Sequence, residues 1–78
     1  MKILLVEDDA SVAASVIDGL DNTGISSHHV ATGQEAIAAA QSHPWDLVLL
    51  DLGLPDMDGQ DVCRQIRTFS QVPIIILS

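Results

Sequence analysis

Tyrosine is absent from this 78-residue chain, and phenylalanine and tryptophan occur once each. Whatever core it builds must therefore be aliphatic. Basic residues are nearly as scarce: three Lys and Arg stand against eleven Asp and Glu, a formal charge of −8. Such a surface repels nucleic acid and anionic lipid headgroups, which excludes direct DNA binding by this segment. Cys63 has no second cysteine to pair with, so an internal disulfide is excluded and a reducing compartment suits the chain. Its place in a helical pattern reads as a buried thiol rather than a reactive one. No apolar run approaches the length of a membrane span, and the start, Met1 and Lys2 followed by Ile3 to Val6 and then Glu7, Asp8 and Asp9, is too short for a secretory signal. The expected location is the cytoplasm.

What is present is apolar enough to fold, since 47% of the residues are hydrophobic. A chain of this length makes one domain at most and buries only ~60% of the surface its unfolded form exposes. Ile3 to Val6 is rich in strand formers, which predicts a first strand over 2–6. Val12, Val16, Ile17 and Leu20 then fall at helical spacing, with Asp8 or Asp9 as N-cap and Gly24 as stop, a helix over 10–22. Residues 25–31, with the segment SHHV, form a more polar strand suited to an edge. Thr32 and Glu35 have capping-box spacing, and the helix they open ends before Pro44. Asp46 to Leu50 is the central strand; a helix from about 59 to 68 buries Val62, Cys63, Ile66 and Phe69; residues 73–77 form the last strand, with Pro73 at its first position. Strands and helices in strict alternation predict an α/β domain with a parallel sheet, whose ligands bind at the carboxyl ends of the strands.

The apolar strands deliver Glu7, Asp8 and Asp9, then Asp51, then Ser78 to one edge of that sheet. Clustered carboxylates repel one another and call for a cation, and an all-oxygen set suits Mg2+ or Mn2+ over zinc. Asp51 is the candidate nucleophile for a phosphoryl group, with the metal neutralising the incoming charge and the Ser78 hydroxyl donating to a phosphoryl oxygen. Against this, Asp9 reads mainly as a helix cap, Asp58 and Asp61 as a helix start and a solvated face, and Asp56 as a turn residue. His28 and His29 point to opposite faces of a strand and do not share a metal; His43 looks like a helix end, and Trp45 lies at the far end of the central strand as core or rim.

ILLVEDDA, DLVLLDLGLPDMDG and VPIIILS, in this order and through the whole chain, resemble the receiver domain of bacterial two-component response regulators, and most of all the subfamily whose receivers precede a winged-helix DNA-binding domain. The resemblance implies a flavodoxin-like doubly wound parallel sheet. It implies that Asp51 is the phosphoacceptor, that Glu7, Asp8 and Asp51 hold Mg2+ together with the backbone carbonyl of Gly53, and that Ser78 is the switch hydroxyl. It also implies a sensor histidine kinase as partner and a role as phosphoacceptor rather than enzyme.

A complete receiver has five strands and five helices, whereas this chain reaches only the fourth strand. The expectation is a partial receiver domain over 1–78 with four strands in the order 2-1-3-4, three helices and no effector domain. Without the fifth strand, residues 74–77 form a bare apolar edge suited to self-association. The family lysine that contacts the phosphoryl group would be missing and the Ser78 terminal carboxylate added, so phosphorylation is expected to be impaired. Two alternatives remain in view. One is an interaction fragment that keeps the topology without the chemistry. The other is a Mg-dependent phosphohydrolase of the haloacid dehalogenase type, which requires a second aspartate where this chain has Gly53. A flavin-binding module is disfavoured by three acids where its phosphate loop would lie.

Overall fold

The computed structural model describes residues 1–77; Ser78, and the role expected of it, lie outside the described residues. The elements run β1 (Lys2–Val6), α1 (Ala10–Asn22), β2 (Ser26–Val30), α2 (Gly33–Ser42), β3 (Leu47–Leu50), α3 (Gly59–Arg67) and β4 (Ile74–Ile76). The strands form one parallel sheet in the order β2-β1-β3-β4, as expected of a doubly wound, flavodoxin-like sheet. No helix among the described residues is long and apolar enough to cross a membrane.

Local chemistry accounts for the element boundaries. Asp9 caps α1 by accepting from the N–H groups of Ser11 and Val12. At the other end Gly24 takes a φ of 77°, a conformation that favours glycine, and Ile25 donates its N–H to the Leu20 carbonyl. That bond is why β2 starts at Ser26 rather than Ile25: the amide of Ile25 closes the helix. Thr32 caps α2 through the N–H of Glu35, and the Glu35 carboxylate accepts in return from the Thr32 hydroxyl. His43 before Pro44 is extended, which ends α2. Asp58 caps α3, and Arg64 and Arg67 occupy its last turn, where cations complement the helix dipole.

β1 spans the expected 2–6, whereas β2, β3 and β4 are a residue shorter at one or both ends than expected, yet the hydrogen bonding reaches further. Asp46 donates its N–H to the Lys2 carbonyl, Pro73 offers its carbonyl to Val48, and Leu77 donates to Leu50. These bonds flank the regular ladders and lengthen the grip of β3 on both neighbours.

The two faces of the sheet are unequally covered. Leu4, Val6, Val30, Val48 and Leu50 meet Ala36 and Ala40 of α2 and Val62 and Ile66 of α3 in one aliphatic core. On the other face, reached by the alternate residues of each strand, Ile3 and Leu5 are buried, and α1 contributes Ala13 as its one buried side chain. The helical stripe expected to be buried on α1 is only partly so: Val16, Ile17 and Leu20 are half-buried and Val12 is 44% exposed. Phe69, expected beneath α3, is 40% exposed, because α3 has ended at Arg67 and its phase no longer governs the chain. Cys63 is half-buried rather than buried, and burial pushes its thiol pKa up while Arg67 pulls it the other way. Among the described residues β4 pairs only with β3, and Ile75, Ile76 and Leu77 are all exposed.

This asymmetry sets the mutational costs. Ile66→Ala, which opens a cavity in the covered core, is expected to lower unfolding free energy by about 2–5 kcal/mol. Ile75→Ala at the exposed edge is expected to change it by no more than about 0.5 kcal/mol. Urea unfolding of the two variants checks the contrast.

Candidate metal and phosphoacceptor site

The site is built where two neighbouring strands end. β1 and β3 pair in parallel with Val6 opposite Leu50. The next amide of each strand remains in the sheet: Asp51 donates its N–H to the Val6 carbonyl at 2.9 Å, and Glu7 donates to Val30 at 3.1 Å. The residues that follow the strands are thus fixed by backbone bonds before their side chains are considered. Glu7, Asp8 and Asp51 each bring a carboxylate oxygen within 4.8 Å of the others. Glu7 is 6% exposed, Asp51 half-buried and Asp8 exposed, so the cluster is graded from the sheet interior to solvent.

Glu7 carries the electrostatic strain. Its pKa rises from 4.5 to about 7, first through burial, then through a hydrogen bond with Asp51 and the negative charges of Asp51, Asp8 and Asp9. Glu7 Oε2 is buried and has no hydrogen-bond partner among the described residues, an arrangement that costs free energy unless a donor or a cation meets it. The three-carboxylate set is hard and all-oxygen, which fits Mg2+ or Mn2+ better than softer ions.

Gly53 lies beside Asp51, its N–H donating to Asp51 Oδ1 at 3.2 Å. Asp9 is outside the cluster and serves as the α1 cap. Asp58 caps α3, and Asp61 pairs with Arg64, so both fill the structural roles expected of them. His28 and His29 do diverge. His28 stacks on Trp45, while His29 Nε2 lies 2.7 Å from the Glu7 carbonyl oxygen, and this hydrogen bond links the edge strand to the site. Trp45 is half-buried and donates from Nε1 to the Ala39 carbonyl, on the rim of the core. Two contributors escaped the sequence: His29, whose partner lies across a strand pair, and Asp56, which is more than a turn residue. Its carboxylate accepts from the N–H groups of Gly33 and Gln34 at the start of α2. No local spacing announces a bond between residues 23 positions apart.

Comparison with known proteins gives a consistent picture. Residues 3–78 match the family described as the response regulator receiver domain. The chain is 44% identical over 77 residues to the DNA-binding response regulator MtrA of Mycobacterium tuberculosis, covering 99% of this chain and 34% of that protein. It is 41% identical over 78 residues to the uncharacterized transcriptional regulatory protein YclJ of Bacillus subtilis, covering 100% of this chain and 34% of that one. It therefore spans about a third of the length of these relatives. Among solved structures, a two-component response regulator from Clostridium difficile superposes with a TM-score of 0.93 at 32% identity over 97% of this chain and 63% of that one. The BeF3-activated N-terminal receiver domain of Klebsiella pneumoniae RstA gives a TM-score of 0.92 at 34% identity over 97% of this chain and 65% of that one.

The raised Glu7 pKa has a definite sign in stability. Between pH 4.5 and about 7 the folded chain holds a proton on Glu7 that the unfolded chain has released, so in the absence of metal this group makes stability fall as pH rises through that window. Glu7→Gln removes the contribution. The variant is expected to be more stable than the parent at pH 8, by a few kcal/mol at most, and to lose the difference near pH 4. Thermal melts of both chains across that range, in chelator, check it.

Proposed function

This chain belongs to the response regulator receiver domain family, and from that membership we propose that Asp51 accepts a phosphoryl group from a sensor histidine kinase. Glu7, Asp8, Asp51 and the main-chain carbonyl of Gly53 would hold the Mg2+ or Mn2+ that assists this transfer. The observation that carries the proposal is the convergence of three carboxylates within 4.8 Å, one of them with a buried oxygen that has no partner among the described residues. A bound divalent ion supplies neutralisation of the charge on the phosphoryl oxygens.

The chain's own residues do the rest. The Asp51 carboxylate oxygen attacks phosphorus, forming an acyl phosphate as the bond from phosphorus to the donor imidazole nitrogen breaks. β3 aims that carboxylate, because its backbone is bonded to β1 on one side and β4 on the other. Glu7 must give up its proton before it can act as a metal ligand, and Asp8, exposed at the mouth, is the side chain nearest to solvent in the cluster. The resemblance alone assigns Ser78 the hydroxyl that bonds a phosphoryl oxygen. The charged neighbours that shift Glu7 are all carboxylates, and Arg64 and Arg67 are engaged with Asp61 and with the Ser70 and Val72 carbonyls. Phosphorylation of the chain as it stands is therefore proposed to need added metal and to be slow.

We assign the partners accordingly. The donor is a histidine kinase. Control of transcription, which the name of the Bacillus subtilis relative carries, is proposed for a protein containing this segment and not for its own acidic surface, with its formal charge of −8. The exposed β4 edge, Ile75 to Leu77, favours pairing with a second copy of the chain.

Incubation with a small acyl phosphate, followed by intact-mass measurement, is expected to show slow labelling that requires Mg2+ and is absent from Asp51→Asn. Labelling that persists in that variant contradicts the assignment of Asp51, and rapid labelling of the parent contradicts the proposed impairment. In sedimentation the parent is expected to self-associate as its concentration rises and Ile75→Lys to remain a monomer; a parent that stays monomeric argues against the edge contact.

A further inference from the structure

The 51–58 loop carries Asp51 and the Gly53 main chain, and its two ends are fixed by β3 and α3. Its middle is fixed by something else. Asp56 is exposed, yet its Oδ1 accepts from the Gly33 N–H at 2.8 Å and its Oδ2 from the Gln34 N–H at 3.0 Å. The next N–H of α2, on Glu35, goes to Thr32 Oγ1, and that of Ala36 goes to the Thr32 carbonyl. The first-turn donors of α2 are thus divided between its own cap and a carboxylate from the site loop. Met57 adds a second hold: a Cβ on Gly33 would lie 2.3 Å from Met57 Cγ, so the loop approaches the helix backbone as closely as glycine permits.

We propose that Asp56 is a positioning residue for the acidic site: by bonding the first two amides of α2 it holds the 51–58 loop so that the Gly53 main chain stays against the Asp51 carboxylate. The inference rests on the proposal that this site binds a divalent cation. α2 could have drawn its caps from neighbouring residues, as it does with Thr32; taking two bonds from a residue on the site loop ties the loop's placement to a rigid element. The direct bond from Gly53 to Asp51 is at the long end of the range, 3.2 Å, and the bond from the Gly59 N–H to the Leu52 carbonyl is 3.3 Å, so the two Asp56 bonds are shorter than either of these ties on the loop. The same two amides hold the Asp56 carboxyl below the usual carboxylate range, which agrees with charge-assisted bonds.

The test is Mg2+ titration of the full chain and of Asp56→Ala, Asp56→Asn and Thr32→Ala, followed by backbone amide shifts. Asp56→Ala is expected to weaken Mg2+ about tenfold, the scale on which groups that orient metal ligands act. Asp56→Asn, which loses the charge but keeps one acceptor, is expected to fall between that variant and the parent, and it applies the same criterion if the alanine chain does not fold. Thr32→Ala loosens α2 without touching the loop, and is expected to leave Mg2+ affinity unchanged while the Glu35 amide exchanges faster. Unchanged affinity in Asp56→Ala overturns the positioning role while leaving the metal site standing. Equal loss in Thr32→Ala assigns the effect to helix stability, and equal loss in the alanine and asparagine variants assigns it to charge; either overturns the role. A parent chain that takes up no Mg2+ overturns the metal site and this inference together.

Discussion

Parallel pairing of β1 with β3, Val6 beside Leu50, is the constraint on which the site depends. Side chains that leave two adjacent strands at the same level cannot avoid one another, and here they are acids. A shift of one residue in this register would turn each strand's apolar set to the opposite face and separate Glu7 from Asp51. Burial of Leu4, Val6, Val48 and Leu50, all at 0% exposure, makes that shift prohibitively costly. Hydrophobic packing therefore holds in place a carboxylate cluster that would otherwise separate. Burial, and after it this repulsion, keeps a proton on Glu7 to about pH 7, and the repulsion is relieved by that proton or by a cation.

The same packing explains the unequal faces. α2 and α3 close one side of the sheet with an aliphatic core, while α1 alone lies over the other and leaves Val12 and Ile75 open. Rigidity at the site comes from the covered side, since Leu50 leads directly into Asp51 and Val62 and Ile66 anchor the helix that follows the loop. The half-covered side leaves Ile75 exposed on the same face as the buried Leu5 and Ile3.

Much of this was legible in the residues. Helical period, caps and breakers located the seven elements, with α1 matching at both ends because the acids before Ala10 and the glycine at 24 bracket its apolar stripe, Asp9 being the one of the two candidate caps that serves. The acid-terminated strands indicated the cluster, and a parallel sheet was enough to bring its members to one edge. The exposure of Val12 and Phe69 was not legible, because a helical stripe says which face is apolar and not whether anything lies opposite it. Nor was the role of Asp56, whose partners on α2 are distant in sequence. The bond from His29 to the Glu7 carbonyl was missed for the same reason: strand periodicity gives the face of a side chain but not the reach of a ring nitrogen.

The central claim is that a divalent cation relieves the repulsion focused on Glu7. Proton release on Mg2+ addition, measured at pH 6 in weak buffer, tests it most directly. Glu7 is then still largely protonated, its pKa being about 7, and it must lose that proton to coordinate. About one proton released per ion bound, falling to none in Glu7→Gln, is the predicted result. Binding of Mg2+ with no proton release from the parent chain would contradict the account.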